Sequence, residues 1–251
     1  SAGAAPTAPA PPPPPPALDA DGFPTDLDKL EKVKSLGGST GAELVREPVT
    51  GKQFVRKMGA SSDHVRREVL ADDLYRSLGA NVPAAKLYET AGGPVKLAEF
   101  IEGKPLKEFM RKNGTFPDDV LREVREGFAA DSILGNRDVI GLDFDNILID
   151  KAGKAWRIDN GGSLDFRAQG GPKVFDGFPL ELWTMRNPAI NRQTTAIFGG
   201  MDYGDLMEQV RAVGGRRAEA LRLVPDDLRD AFGQRLDRLG EAVRQYDELT
   251  R

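Results

Sequence analysis

The chain changes character once, near Glu102-Gly103, and that change limits what it can fold into. Ahead of it, short apolar runs broken by Gly and Pro read as strands over residues 32–36, 42–46, 53–58, 84–88 and 95–101. One helix separates the third strand from the fourth. Ser61 and Ser62 offer its N-caps, Val65, Val69, Leu70, Leu74 and Leu78 recur near helical spacing, and Gly79 stops it. Behind the change, residues 106–112 and 118–134 read as helices, and a hairpin spans 146–159. Leu228, Phe232, Leu236, Leu239 and Val243 form an apolar stripe on a last helix. The expected fold class is α+β with two lobes. A small β-rich N-lobe with one helix covers residues 23–102, and a larger helical C-lobe containing a β-hairpin covers 103–251.

Residues 1–22 are set apart by composition. Pro11 to Pro16 are consecutive prolines, which favour polyproline II and bring no side chains able to pack a core. This segment is expected to be a disordered Pro/Ala-rich linker that tethers the lobes to further domains, with none of the features of a signal peptide. The rest is ordinary globular chain, with 39% hydrophobic and 29% charged residues. Its 35 basic and 39 acidic residues are mixed along the sequence, so no electrostatic footprint for nucleic acid is visible. No apolar run is long enough to span a bilayer. Cysteine is absent and His64 is the sole histidine, which removes disulfides, thiolate catalysis and Cys- or multi-His metal sites. Any chemistry therefore falls to carboxylates, Lys, Arg, amides and hydroxyls. His64 itself is expected on the surface of the helix's first turn.

Three stretches carry polar groups in arrangements that suggest chemistry. Gly37-Gly38-Ser39-Thr40-Gly41 lies between the first two strands. It matches neither GxxxxGK[ST] nor GxGxxG, and a strand follows it where those motifs require a helix. What remains is a glycine turn whose bare backbone N–H groups can approach anionic oxygens. Next, Lys57 ends the third strand and Glu68 follows on the helix, an order in which a carboxylate can hold a lysine in place.

The third stretch runs from Gly135-Asn136-Arg137-Asp138 through Asp143-Phe144-Asp145-Asn146 to Asp159-Asn160-Gly161-Gly162. A hairpin centred on Ala152-Gly153 would set Asn146 opposite Asp159, and directly opposed residues project to one face. An amide and a carboxylate there, completed by water and phosphate oxygens, suit Mg²⁺. An EF-hand reading from Asp143 fails, because Leu148 and Lys154 stand where Gly and Glu are required. Asp138, just ahead of the hairpin, is placed to orient or deprotonate a hydroxyl.

In order, Gly37 to Gly41, Lys57, Glu68, Leu97 to Ile101, Gly135 to Asp138, Asn146 and Ile158 to Gly161 resemble the protein-kinase-like superfamily. The similarity leans toward its atypical members, the HipA-type, actin-fragmin-kinase and phosphoinositide-kinase groups, and spans roughly residues 33–163. The resemblance implies a kinase-like fold and an ATP- and Mg²⁺-dependent transfer of the γ-phosphoryl group to a hydroxyl of a protein or small-molecule acceptor.

Residue by residue, it implies that Gly38, Ser39, Thr40 and Gly41 cover the ATP phosphates, that Lys57 contacts them and that Glu68 pairs with Lys57. Glu99 and Ile101 would offer backbone groups to adenine, Asp138 would be the catalytic aspartate, and Asn146 and Asp159 would bind the metal. Asp138 and Asn146 are eight positions apart where the usual spacing is five, so the resemblance requires a looped-out insertion and leaves Asp143 and Asp145 as alternatives. Asp-Asn-Gly replaces the usual Asp-Phe-Gly, which puts a Phe-based activation switch in doubt. Nucleotidyl transfer or ligase-like chemistry on the same fold and a catalytically silent nucleotide-binding module are the rival readings. The expected working place is the cytoplasm, or another cell entered as an effector or toxin.

Overall fold

The computed structural model describes residues 1–38 and 40–251. Five strands form one antiparallel sheet: β1 (Glu31–Gly37), β2 (Ala42–Arg46), β3 (Gln53–Lys57), β4 (Ala85–Thr90) and β5 (Gly93–Glu99), in the order β1-β2-β3-β5-β4. The fifth strand stops at Glu99, two residues short of the expected end, because Phe100 turns its amide onto Gln53 O. Phe23, Val45, Phe54 and Leu97 make a small core on one face. Leu18 packs against that core and Asp19 accepts from Lys86 at 2.8 Å, so the ordered lobe begins a few residues inside the segment expected to be linker. Residues 1–16 are exposed and without regular structure.

Helix α1 (Ser62–Ser77) crosses from this sheet to the rest of the molecule. Ser61 caps it by accepting from His64 N. Its apolar residues Ala71, Leu74, Tyr75 and Leu78 do not join the small core; they enter the large core of the C-terminal half. The helix thus belongs to both halves, and burial of roughly 1.5–3 kcal/mol for each large apolar side chain ties the sheet to the helical body.

After Glu99 the chain forms β6 (Gly103–Pro105), which pairs with the hairpin β7 (Ile147–Asp150) and β8 (Ala155–Arg157) in the order β6-β7-β8. Residues 106–112, expected to be helical, form only a short 3-10 turn over Leu106–Phe109 before Met110 returns to extended backbone. The single helix expected over 118–134 is two: α2 (Asp118–Arg125) and α3 (Phe128–Leu134). The break has a physical cause. The Arg157 guanidinium, bonded to Asp131 and to Val124 O, fills the space beside Gly127, where a Cβ would meet its Cζ at 2.4 Å.

Helices α4 (Glu181–Thr184), α5 (Arg192–Phe198), α6 (Tyr203–Gly214), α7 (Arg217–Leu223) and α8 (Asp226–Leu249) complete the body. The stripe Leu228, Phe232, Leu236, Leu239 and Val243 of α8 is buried in the large core. No helix among the described residues is long and apolar enough to cross a membrane.

Candidate active site

The site forms where α1, the end of β3 and the segment after β8 meet. Polar residues recur at every fourth position of α1, namely His64, Glu68 and Asp72, and all three are buried on one face. Lys57 and Lys96 are opposed partners on β3 and β5, two buried ammoniums side by side. They are tolerable together because α1 supplies the counter-charges. Lys57 Nζ lies 2.6 Å from Glu68 Oε1, and Lys96 Nζ lies 2.5 Å from Asp72 Oδ2 and 3.8 Å from Glu68 Oε2.

Burial disfavours the Lys57 ammonium, yet attraction to Glu68 and Asp159 outweighs it and holds its pKa above the ordinary lysine range. Burial likewise pushes Glu68 up, but Lys96 and Lys57 overcome this and hold its carboxyl below the usual range. Asp72 goes the other way: burial and the neighbouring Glu68 charge raise it despite Lys96.

Asn160 links this cluster to the helical half. Its Nδ2 donates to Asp72 Oδ1 at 2.8 Å and its Oδ1 accepts from Asn136 Nδ2 at 3.4 Å. Asn136 also donates to Tyr75 Oη, whose hydroxyl donates to Asp131 Oδ1 at 2.8 Å. Burial and the Asp131 charge keep the Tyr75 phenol protonated, well above its ordinary value. Asn160, directly after Asp159, is thus an amide built into a polar chain running from β5 to α3.

His64 is not the surface residue expected. It is fully buried, accepts from Ala60 N through Nδ1 at 3.2 Å and contacts Gly161 O through Nε2 at 2.9 Å. With Nδ1 accepting, Nε2 is the ring nitrogen left to donate to Gly161 O. The reason is the close passage of the Asp-Asn-Gly-Gly segment. A Cβ on Gly161 would meet His64 Nε2 at 2.9 Å, and one on Gly162 would meet Asp138 Oδ2 at 2.9 Å. Only glycines let this backbone run between the start of α1 and the loop bearing Asp138.

The expected cross-strand placement of Asn146 and Asp159 is not found. The hairpin pairs Ile147 with Arg157 and Ile149 with Ala155, one residue out of the expected register. The turn takes three residues, Lys151 to Gly153, with Gly153 at φ 82° and Asp150 accepting from Ala152 N and Lys154 N. Asn146 therefore pairs with Ile158, whose amide donates to Asn146 O at 3.1 Å.

The eight-residue span from Asp138 is looped out through positive φ at Gly141 and Phe144. It returns so that Asn146 Nδ2 donates to Asp138 O at 2.8 Å, while the amide oxygen Oδ1 takes no hydrogen bond among the described residues. Asp143 is exposed and Asp145 turns back onto Gly141, while Asp138 lies against Gly162.

Asp159 is half-buried, with Oδ1 3.2 Å from Lys57 Nζ and 3.4 Å from Gly161 N. Its Oδ2 takes no hydrogen bond among the described residues. The amide oxygen of Asn146 and the carboxylate of Asp159 are thus oxygen donors with lone pairs to spare, a set that suits a hard cation such as Mg²⁺. No cluster of three or more His, Cys, Asp or Glu side chains offers a ready metal cage among the described residues, so such an ion would need phosphate and water oxygens as well.

The glycine turn between β1 and β2 is open. Gly37, Gly38 and Gly41 have φ of 78°, 85° and 69°, and nothing lies within 4 Å of a Cβ built on any of them. Thr40 is half-buried, and Ser39 lies outside the described residues. At the back edge, Glu99 donates its amide to Ala84 O at 2.8 Å and its carboxylate accepts from Lys52 at 2.9 Å, whereas the Ile101 amide has no partner among the described residues. On the far side of Asp138 a cavity of about 420 Å³ opens, lined in part by Arg137, Leu142, Ile190 and Arg192.

Lys96, Asp72, Asn160 and His64 were not singled out as site residues by sequence reasoning. The i, i+4 spacing of His64, Glu68 and Asp72 on a helix with an apolar face, and a lysine inside Val95-Lys96-Leu97-Ala98, are the signals that could have found them.

No family profile matches the chain, and no curated protein matches it in sequence. Among solved structures it is similar to the crystal structure of a Helicobacter pylori proinflammatory kinase, CtkA, at a TM-score of 0.54 and 13% identity, over 84% of this chain and 91% of that one. At that identity the likeness is one of fold: the chain has a two-lobed, kinase-like α+β fold.

Proposed function

We propose that this protein is an ATP- and Mg²⁺-dependent phosphotransferase of the atypical kinase-like kind, acting on a hydroxyl of a protein or small-molecule acceptor. One observation carries the reading. Asp138 lies against Gly162, Asp159 lies beside Gly161 and the buried Lys57, and Asn146 is tied to the Asp138 carbonyl, while among the described residues the Asp138 carboxylate, Asn146 Oδ1 and Asp159 Oδ2 take no hydrogen bond. Uncommitted oxygens beside a fixed cation suit a ligand that brings both negative charge and a divalent ion.

In this reading Lys57, fixed by Glu68, neutralises phosphate oxygens, and the backbone of Gly38 to Gly41 covers them. Asn146 Oδ1 and Asp159 would hold Mg²⁺, which when bound neutralises charge on the transferring group and its leaving group. Glu99 and Ile101 would present backbone groups to the adenine edge. Asp138 orients the acceptor hydroxyl and takes its proton as that oxygen bonds to the γ-phosphorus and the bond to the β-phosphate oxygen breaks, releasing ADP. The cavity next to Asp138 gives the acceptor a place to sit. Residues 1–16, rich in proline, would tether the two lobes to other domains, with the protein working in a cytoplasm, its own or that of a target cell.

The test is incubation with ATP labelled at the γ or the α position, with self-labelling and generic hydroxyl acceptors as readouts. Label should pass from γ-labelled ATP only, and Asp159→Ala should abolish it while leaving the fold. Transfer from α-labelled ATP would show nucleotidyl chemistry. Nucleotide-dependent thermal stabilisation without ATP consumption would show a silent binding module.

A further inference from the structure

A part-buried lysine with no carboxylate beside it needs a reason, since desolvating an ammonium is costly unless it is well partnered. Lys57 and Lys96 have carboxylates. Lys173, in the loop between β8 and α4, has none within 4 Å among the described residues, and its Nζ donates instead to two backbone carbonyls, Gly135 O at 2.7 Å and Gly162 O at 2.6 Å.

Those carbonyls are informative. Gly135 is the left-handed cap of α3, at φ 64°, three residues ahead of Asp138. Gly162 lies three residues beyond Asp159, and its Cα runs so close to Asp138 that a Cβ would meet Oδ2 at 2.9 Å. One ammonium therefore staples together the two loops that carry the proposed base and the proposed metal ligand.

Lys173 is held by its own hairpin-like turn. Its amide donates to Asp165 O, Phe166 bridges Pro172, and Arg167 N donates to Gly171 O. The charged groups facing it are Arg137 and Asp138 from the loop after α3, Glu181 from α4 and Arg235 from α8. Burial, with Arg137 next, brings its pKa down to about 8 against the pull of Glu181 and Asp138.

We propose, resting on the phosphotransferase reading, that Lys173 is a positioning residue. By bonding the carbonyls of Gly135 and Gly162 it sets the separation of Asp138 and Asp159, so that both face the same transferring phosphoryl group. A loss here would slow the chemical step more than it weakens nucleotide binding, since Lys57 and the glycine turn do not depend on it.

The absence of cysteine allows a clean test. Lys173→Cys introduces the sole thiol. Treating it with 2-bromoethylamine in denaturant, followed by refolding, forms a carbon–sulfur bond with loss of bromide, while the thiol proton passes to buffer. The product side chain matches lysine in length and charge but has a more acidic ammonium. Wild type carried through the same cycle is the control.

Lys173→Cys should lower kcat by about 10- to 100-fold while KM for ATP changes little, in the range seen when an orienting partner is removed. Aminoethylation should restore most of kcat, with the alkaline fall in rate displaced to lower pH than in wild type. Full kcat in a folded Lys173→Cys protein, or no recovery in a refolded aminoethylated one, would overturn the inference alone. A wild type that transfers no phosphoryl group would overturn the phosphotransferase reading and this inference with it. Should the Cys variant unfold, the refolded aminoethylated protein is compared directly with wild type. Matching kcat with an unshifted pH profile would then show a merely structural lysine.

Discussion

The back and the front of the cleft are built from the same residue types and treated in opposite ways. At the back, Lys57, Glu68, Lys96, Asp72, Asn160, Asn136, Tyr75, Asp131 and Arg157 form one buried chain in which three acids meet three bases. At the front, the Asp138 carboxylate, Asn146 Oδ1 and Asp159 Oδ2 take no hydrogen bond among the described residues, and in the glycine turn between β1 and β2 nothing lies within 4 Å of a Cβ built on Gly37, Gly38 or Gly41. The contrast separates roles. The ion pairs and hydrogen bonds of the back hold α1 against the sheet and the helical body, although Asn136 Oδ1 among them takes no hydrogen bond, and the unpaired oxygens that a ligand can reach are the part-exposed ones at the front. Substitutions at the back should cost stability, and substitutions at the front should cost transfer.

The largest effect is expected at the front. Asp159→Ala removes the proposed metal ligand and should cost several kcal/mol of charge stabilisation, on the order of a 10³-fold loss of γ-phosphoryl transfer. Its melting temperature should stay near wild type, because the side chain is 43% exposed. Asp138→Asn should follow with roughly a 10²- to 10⁴-fold drop in kcat and nearly unchanged ATP binding, read by steady-state kinetics and a nucleotide-binding titration.

At the back the sign of the comparison reverses. Lys96→Met strands Asp72, fully buried, without its cation and should cost about 3–5 kcal/mol, seen as a shifted denaturation midpoint. Adding Asp72→Leu should recover much of that loss, whereas equal destabilisation in the double variant would break the claim that the two charges justify each other.

Acid titration probes the same wall. Glu68 has its carboxyl held below the value of 4.5 that it takes in the unfolded chain, so it contributes stability that is present above that pH and is lost as pH falls through its folded value. The stability gap between wild type and Glu68→Gln should therefore be widest near neutrality and close on acidification. The smallest effect belongs to the glycine turn, where Gly38→Ala meets open space and pays only for a positive φ, about 1–2 kcal/mol at most.

The same contrast explains which parts of the molecule could be read from residues alone. Strands β1 to β3, the Ser61-capped start of α1 and the apolar stripe of α8 follow local rules of periodicity and capping, and they fall where those rules put them. Features set by distant partners do not. Gly127 breaks a continuous helical pattern because Arg157, far along the chain, needs the space. The hairpin slips by one residue because Asp150 closes a three-residue turn where a two-residue turn was the simpler reading. His64 is buried because a glycine segment nearly a hundred residues later presents a carbonyl to it. Lys173 lies in a loop with no periodic signal at all, and only the folded chain brings it to Gly135 and Gly162. Asp138, Asn146 and Asp159 could be picked out by type and order, yet their actual arrangement depends on a looped-out span that sequence spacing shows only as an anomaly.

The most direct test is a crystal structure with Mg²⁺ and a non-hydrolysable ATP analogue. The expected complex has an ion bound by Asn146 Oδ1 and Asp159, Lys57 on the phosphates, and the γ-phosphate directed at Asp138, as proposed. A nucleotide bound with its α-phosphate at Asp138, or an ion that avoids Asn146 and Asp159, would contradict it.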